Sequence, residues 1–319
     1  MENKSSVTYF FLAGFSVSLE VQLFLFVVFL AIYLLTVTAN VAIISLVRSD
    51  SRLHTPMYFL LSQLSFLEIW YTSTIVPKLL TNLAGWKYIS LSGCLCQTYF
   101  YFSLGSTEFF LLAVMAVDRY LAICNPLRYT AIMNGQMCVL AASSCWSIAF
   151  FSVFFLVMLI SQLKFCQPTI INHFFCDIPP LLRLSCTETF LEDIMVFFFA
   201  CIIILTSLLL TVVSYVLIIS TIFKIPSNKG RKKAFSTCAS HFSVVSILYG
   251  TVIFIYVRPS VSCSMDANKV LGIFNTIVTP LLNPVIYCLR NKEVKMSLRK
   301  VMKTKSELAI AKIYNFKGH

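Results

Sequence analysis

Seven stretches of this chain, each at least 20 residues long, carry almost no charge, and that pattern alone confines the fold. They run from Val21 to Val47, Pro56 to Ala84, Cys94 to Val117, Met137 to Leu163, Ile194 to Phe223, Ala234 to Val257 and Val270 to Leu289. A helix needs about 20 mostly apolar residues to cross a bilayer. In hydrocarbon only a helix or a closed barrel satisfies its own backbone. The ten-residue alternating segments of a barrel are missing, so the runs read as helices. Composition agrees: 58% of the 319 residues are hydrophobic and 12% charged, against roughly 45–50% and about 25% in soluble chains. The expected fold is an all-α membrane protein, a seven-helix bundle over residues 22–290. Residues 1–21 form a tail before it, and 291–319 a cytoplasmic amphipathic helix and tail.

A net charge of +12 would suit nucleic acid. The cations instead flank the apolar runs, with no aromatic-interleaved patch, so the expected partner is lipid and not nucleic acid. With the N-terminus outside, eighteen Lys and Arg fall on the inner side and six on the outer. The positive-inside rule then predicts a multi-pass plasma-membrane protein with an extracellular N-terminus. No cleavable signal peptide is expected, since residues 1–20 lack a basic start, a compact apolar stretch and a small-residue cleavage site. Lipidation motifs are not seen at either end. Asn3-Lys4-Ser5 is the one N-x-S/T sequon, and Asn3 is the expected glycosylation site. Val294, Leu298, Val301 and Met302 recur at helical spacing among basic residues, the pattern of a helix lying on the anionic inner leaflet.

Four cysteines fall on the oxidising side: Cys94 at the start of span three, and Cys166, Cys176 and Cys186 in the longest loop. Four cysteines allow three pairings, and spacing does not choose among them. The remaining eight read as small buried hydrophobes. Glu68 and Glu108 are the two carboxylates deep in the spans, and acids sharing a dry site do not both ionise cheaply. Either one holds a proton or a cation joins them. No P-loop, HExxH or GxSxG occurs and the four histidines are scattered, so an enzyme is not expected. A transporter would show internal repeats and paired broken helices, and neither is seen.

More specific motifs then appear in order. Met115-Ala116-Val117-Asp118-Arg119-Tyr120-Leu121-Ala122-Ile123-Cys124-Asn125-Pro126-Leu127-Arg128-Tyr129 lies at the inner end of span three, and Pro56-Met57-Tyr58-Phe59-Leu60-Leu61-Ser62 opens span two. Ser214-Tyr215 lies near the end of span five, Lys233-Ala234-Phe235-Ser236-Thr237-Cys238-Ala239-Ser240-His241 opens span six, and Pro280-Leu281-Leu282-Asn283-Pro284-Val285-Ile286-Tyr287 closes span seven. From about residue 8 to 302 the chain resembles the odorant receptors of the rhodopsin-like superfamily, and Leu64 to Tyr71 resembles their family-6 group. It departs at Ala39-Asn40, where the family usually has Gly-Asn, and at Glu68, where Asp is usual. The nearest rival is a rhodopsin-like receptor for another small ligand.

The resemblance implies a G-protein-coupled receptor for a volatile odorant, signalling through a stimulatory G protein from the cilia of olfactory neurons. Asp118, Arg119, Tyr120, Tyr215, Tyr249 and Tyr287 would serve coupling and activation, with Arg119 held at rest and Tyr215 as its partner once freed. Glu68, Glu108 and Asn283 would hold a sodium ion; no other cofactor is implied. Cys94 would pair with Cys176, and Cys166 with Cys186. Tyr101, Phe102, Gly105, Ser106 and Phe109 share a face of span three at helical spacing. By family position the ligand pocket would add Ile178, Phe199, Ile203, Val252, Ile253, Tyr256 and Thr276. The outer third of span three has no acid where amine receptors place a counter-ion, so the expected ligand is small, neutral and mostly apolar. Lys78 is read as snorkelling, or as a group that could attract an acid.

Overall fold

The computed structural model describes residues 7–167, 169–257, 269–270, 272–290 and 293–299. Its helices follow the apolar runs: α1 (Leu19–Ser49), α2 (Pro56–Leu83), α3 (Leu91–Cys124), the short α4 (Pro126–Ile132), α5 (Gly135–Ser161), the short α6 (Ile178–Leu182), α7 (Phe190–Lys224), α8 (Asn228–Val257) and α9 (Thr279–Arg290). A π-helical turn, Phe274–Val278, leads into α9. Pro280 follows that turn, and a proline ring crowds the carbonyl four residues before it. Widening the preceding turn relieves the crowding, and the Thr279 amide bonds Phe274 O instead.

Local chemistry sets the boundaries. Ser90 accepts the Gly93 amide at 3.1 Å to start α3, and Asn134 accepts the Met137 amide at 3.0 Å to start α5. Pro56 and Pro126 occupy first helical positions, where a missing N–H costs nothing. Among the described residues α1, α3, α5 and α7 are each long and apolar enough to cross a membrane. Polar groups thin the signal elsewhere: α2 carries Glu68 and Lys78, α8 opens with Lys229, Arg231 and Lys232, and the π turn splits the last helix.

The seven long helical segments form one bundle around α3, which packs on α2, α5, α7 and α8. α1 lies against α2 and α9, and α9 against α8. Between helices in lipid, close packing and interhelical hydrogen bonds replace the hydrophobic drive. Gln97 accordingly donates to Thr74 O at 3.0 Å, and Tyr33 and Ser73 share a bond of 2.9 Å. Beyond α9 the described helix at 293–299 turns its apolar side to the bundle. Val294 is buried, Leu298 packs on the core, and Tyr58 donates to Glu293 at 2.6 Å.

The N-terminal segment is more than a tail. β1 (Tyr9–Leu12) is the middle strand of a three-stranded sheet, antiparallel to β2 (Tyr88–Ser90) with Phe10 opposite Ile89, and parallel to β3 (Ile170–Ile171) with Phe11 opposite Ile170. Phe10 and Leu12 point inward and are fully buried with Leu156, Ile160, Ile178 and the Cys94–Cys176 pair. The sheet caps one end of the bundle; Asp118-Arg119 lies at the other.

Two disulfides hold the long loop: Cys94 to Cys176 across 82 residues, and Cys166 to Cys186 across 20. The Cys176 amide also donates to Gln97 at 3.0 Å, and Thr98 donates to Cys176 O at 2.9 Å. In the chain-entropy account the longer closure stabilises by about 4–5 kcal/mol and the shorter by about 3 kcal/mol. Cys94→Ser is therefore expected to lower thermal stability in detergent more than Cys166→Ser. An equal loss in both would show that loop length is not what matters.

Candidate functional site

The predicted site residues fall into three layers. At the sheet end, Tyr101 on α3 stacks on Tyr71 of α2 with centroids 5.3 Å apart and meets Phe175 of the loop at 4.7 Å. Phe102, Ile178 and Phe199 share the apolar cluster beneath the sheet. Deeper, Phe109 meets Tyr249 of α8 at 5.4 Å, and Ser106, Ile203 and Val252 are buried. Thr276 is buried and donates to Gly272 O at 2.7 Å, so its hydroxyl proton is already engaged. A Cβ at Gly105 would meet Tyr71 at an ordinary 3.7 Å, so glycine there leaves room instead of being forced by a clash. The Ile253, Tyr256 and Tyr287 side chains, and Asn3, lie outside the described residues.

In the middle layer Glu68, Glu108 and Asn283 are all buried. The Asn283 amide donates to Glu68 Oε1. Glu68 Oε2, Glu108 Oε1 and Asn283 Oδ1 have no hydrogen-bond partner among the described residues. Glu68 and Glu108 stand close enough to repel each other when both are charged.

At the far end Arg119 is 6% exposed and donates from Nε to Asp118 Oδ2 at 3.1 Å, with a second bond from its terminal nitrogen. Tyr129 on α4 holds the other Asp118 oxygen at 2.8 Å. Tyr215 shares a bond of 2.7 Å with His241 Nδ1 of α8, their rings stacked within 12° of parallel. Tyr120 accepts a long 3.5 Å bond from Asn125, whereas Tyr249 is buried beside Phe109, away from this end.

A family model described as "Olfactory receptor" matches residues 29–305. Human Olfactory receptor 6F1 is 53% identical over 304 residues, covering 95% of this chain and 99% of its own length. Human Olfactory receptor 11L1 is 50% identical over 305 residues, with 95% of each chain covered. Rat Olfactory receptor 287 is 52% identical over 305 residues, covering 95% of this chain and 98% of its own. The chain belongs to the olfactory receptor family. That family consists of G-protein-coupled membrane receptors and not enzymes, and number-6 relatives such as 6F1 and 6Y1 stand among the matches.

Within this olfactory receptor several site residues escaped the sequence. Tyr129 and His241 were legible only as letters of motifs, because their partners lie on other helices. Lys78, read as snorkelling or as attracting an acid, donates to Trp86 O at 3.0 Å and Tyr88 O at 2.7 Å and so holds the turn before α3. Cys138, Cys145 and Cys238 are buried hydrophobes as expected, but Cys96 is exposed.

The cap also holds two titratable groups that oppose each other. Burial, with Lys269 nearby, pushes His173 down from 6.5 to about 4. Burial pushes Asp177 up from 3.8 to about 6, against the Ile178 amide that favours its charge. For His173 the unfolded chain takes the proton first, so stability is full above pH 6.5 and falls as pH drops toward 4. That loss is about 3 kcal/mol at most. For Asp177 the folded state keeps its proton longer, so stability is full below pH 3.8 and falls as pH rises toward 6. Asp177→Asn should therefore make the receptor acid-sensitive between pH 6.5 and 4, and His173→Gln should reverse the slope. Parallel melting curves across that pH range for both variants and the parent would reject the opposition.

Proposed function

We propose that this receptor binds a small, neutral, mostly apolar volatile odorant at the sheet end, between α3, α7, α8 and the last helix, and activates a stimulatory G protein at the Arg119 end. The reading rests on one observation above others: an almost fully buried Arg119 clamped by its neighbour Asp118, itself held by Tyr129. A buried charge near a membrane face is costly unless it has work to do. An odorant that favours the state in which this clamp opens would shift the equilibrium toward coupling. The aromatic wall of Tyr101, Phe102 and Phe109, with Ser106 among it, supports an apolar ligand oriented by few polar groups. On this reading the sheet end faces outside, the basic end faces the cytosol, and the receptor works in the cilia of olfactory neurons.

cAMP accumulation in cells expressing the receptor with a stimulatory G protein tests the reading. Neutral volatiles should give dose-dependent rises, and amines and acids of similar size should not. Responses to amines alone, or silence despite verified surface expression, would overturn it.

The middle layer suits a sodium ion. Two acidic oxygens and one amide oxygen, all buried and unpartnered among the described residues, form a hard-donor set. Glu68, Glu108 and Asn283 would hold the ion, which would supply the positive charge that lets both acids ionise. Sodium substituted for choline should then raise the melting temperature, by an amount equivalent to about 2.7 kcal/mol at a hundred times its Kd. Glu108→Gln should remove the sodium dependence. A sodium-independent parent would favour protonated acids.

A further inference from the structure

We propose that an anionic phospholipid of the inner leaflet occupies a groove between the end of α7 and the start of α8, its phosphate on Arg231 and Lys232 and its acyl chain on Ile219, Phe223 and Phe235. The groove encloses about 440 Å³ and is lined by these residues and Ile222. Its walls are almost wholly apolar, and Phe223 and Phe235 are 74% and 65% exposed. Two phenylalanines left that bare beside a membrane helix need an apolar neighbour. Arg231 and Lys232 line the same groove from the first two turns of α8.

Charge complementarity fixes the class of the occupant. No Asp or Glu occurs between Asp193 and Asp266, so neither the end of α7 nor α8 supplies a carboxylate beside the groove's cations; the acids of α7, Glu192 and Asp193, lie at its opposite end. Arg231 spends one terminal nitrogen on the Asn228 side chain, and four of its five donors remain for a phosphate. A peptide from a G protein would have to match an apolar trough open to hydrocarbon. A lipid matches both halves, with an anion at the rim and a chain beneath.

The assignment of the inner leaflet rests on the proposed orientation, but lipid binding in detergent does not. Purified receptor titrated with phosphatidylserine or phosphatidylcholine in micelles, read by native mass spectrometry, tests the groove itself. The parent should prefer phosphatidylserine. Arg231→Gln with Lys232→Gln should weaken that binding roughly thirtyfold, taking about 1 kcal/mol for each basic residue at an anionic headgroup. Lys224→Gln with Lys229→Gln removes the same charge outside the groove and should change little. Phe223→Ser with Phe235→Ser should weaken both lipids together. Equal losses in the two charge variants would overturn the groove in favour of diffuse attraction. Intact lipid binding in the Arg231/Lys232 variant, with lost G-protein coupling, would overturn it in favour of protein docking. Labelling of a cysteine placed in the 225–227 connection from outside intact cells would sink only the orientation.

Discussion

Cells expressing the Arg119→Ala receptor are expected to show no odorant-evoked cAMP rise, although the protein reaches the surface in normal amount. Among the described residues Arg119 hydrogen-bonds its sequence neighbour Asp118 and no other helix, so its loss should spare the fold. The same clamp predicts the opposite sign one residue earlier. Asp118→Asn removes the charge that holds the guanidinium, and bonds to a charged group contribute about 1.5–3 kcal/mol each. Releasing one such bond would shift the resting equilibrium roughly ten- to hundredfold toward the coupling state, seen as raised basal cAMP. Tyr129→Phe removes one supporting bond and should raise basal signalling less, by several-fold for about 1 kcal/mol. If Arg119→Ala signals normally, or Asp118→Asn is silent with normal surface expression, the clamp is not the switch.

Gly14→Val should cost the receptor most of its surface expression, through a mechanism that spares the Arg119 end. Gly14 sits at φ 62°, where an L side chain costs about 1–2 kcal/mol. A Cβ there would lie 2.2 Å from Asn82 Oδ1, inside contact distance. Asn82 cannot simply withdraw, because its amide donates to Leu12 O at 2.9 Å and joins the sheet to α2. Lys269 donates to Gly14 O at 2.9 Å, so the last helix is tied to the same residue. Strain, clash and a buried bond left unmade together should destabilise by about 3–5 kcal/mol. Gly85 separates the contributions: it too has a positive φ, of 98°, yet nothing lies within 4 Å of its Cβ position. Gly85→Ala should lose only the backbone part, about 1 kcal/mol. Asn82→Ala should partly rescue Gly14→Ala by removing the clash. Melting temperatures in detergent decide the matter, and equal losses at Gly14 and Gly85 would refute the steric account.

Much of this receptor was legible because the bilayer acts on the chain locally. Apolar runs such as Val21–Val47 and Ile194–Phe223 state their helices through length and lack of charge, which any lipid-facing helix must show. Pro56 opens both its apolar run and α2, for a reason confined to one turn: a missing N–H costs nothing at a first helical position. The motif around Asp118-Arg119 was readable as letters, and so was the family. What the sequence left open was which distant groups meet. By spacing alone the three pairings of Cys94, Cys166, Cys176 and Cys186 were equal; only the family resemblance named the two that form where the loop crosses span three. Tyr9–Leu12 became a strand only because residues 88–90 and 170–171 flank it, and four residues carry too little local preference to declare a strand alone. Tyr215 found His241, Tyr129 found Asp118, and Lys269 found Gly14 across 26, 11 and 255 positions. A bilayer acts on each residue by its own polarity, so spans and ends can be read one segment at a time. A hydrogen bond or a disulfide depends on where a partner's atom stands, and only the assembled bundle decides that.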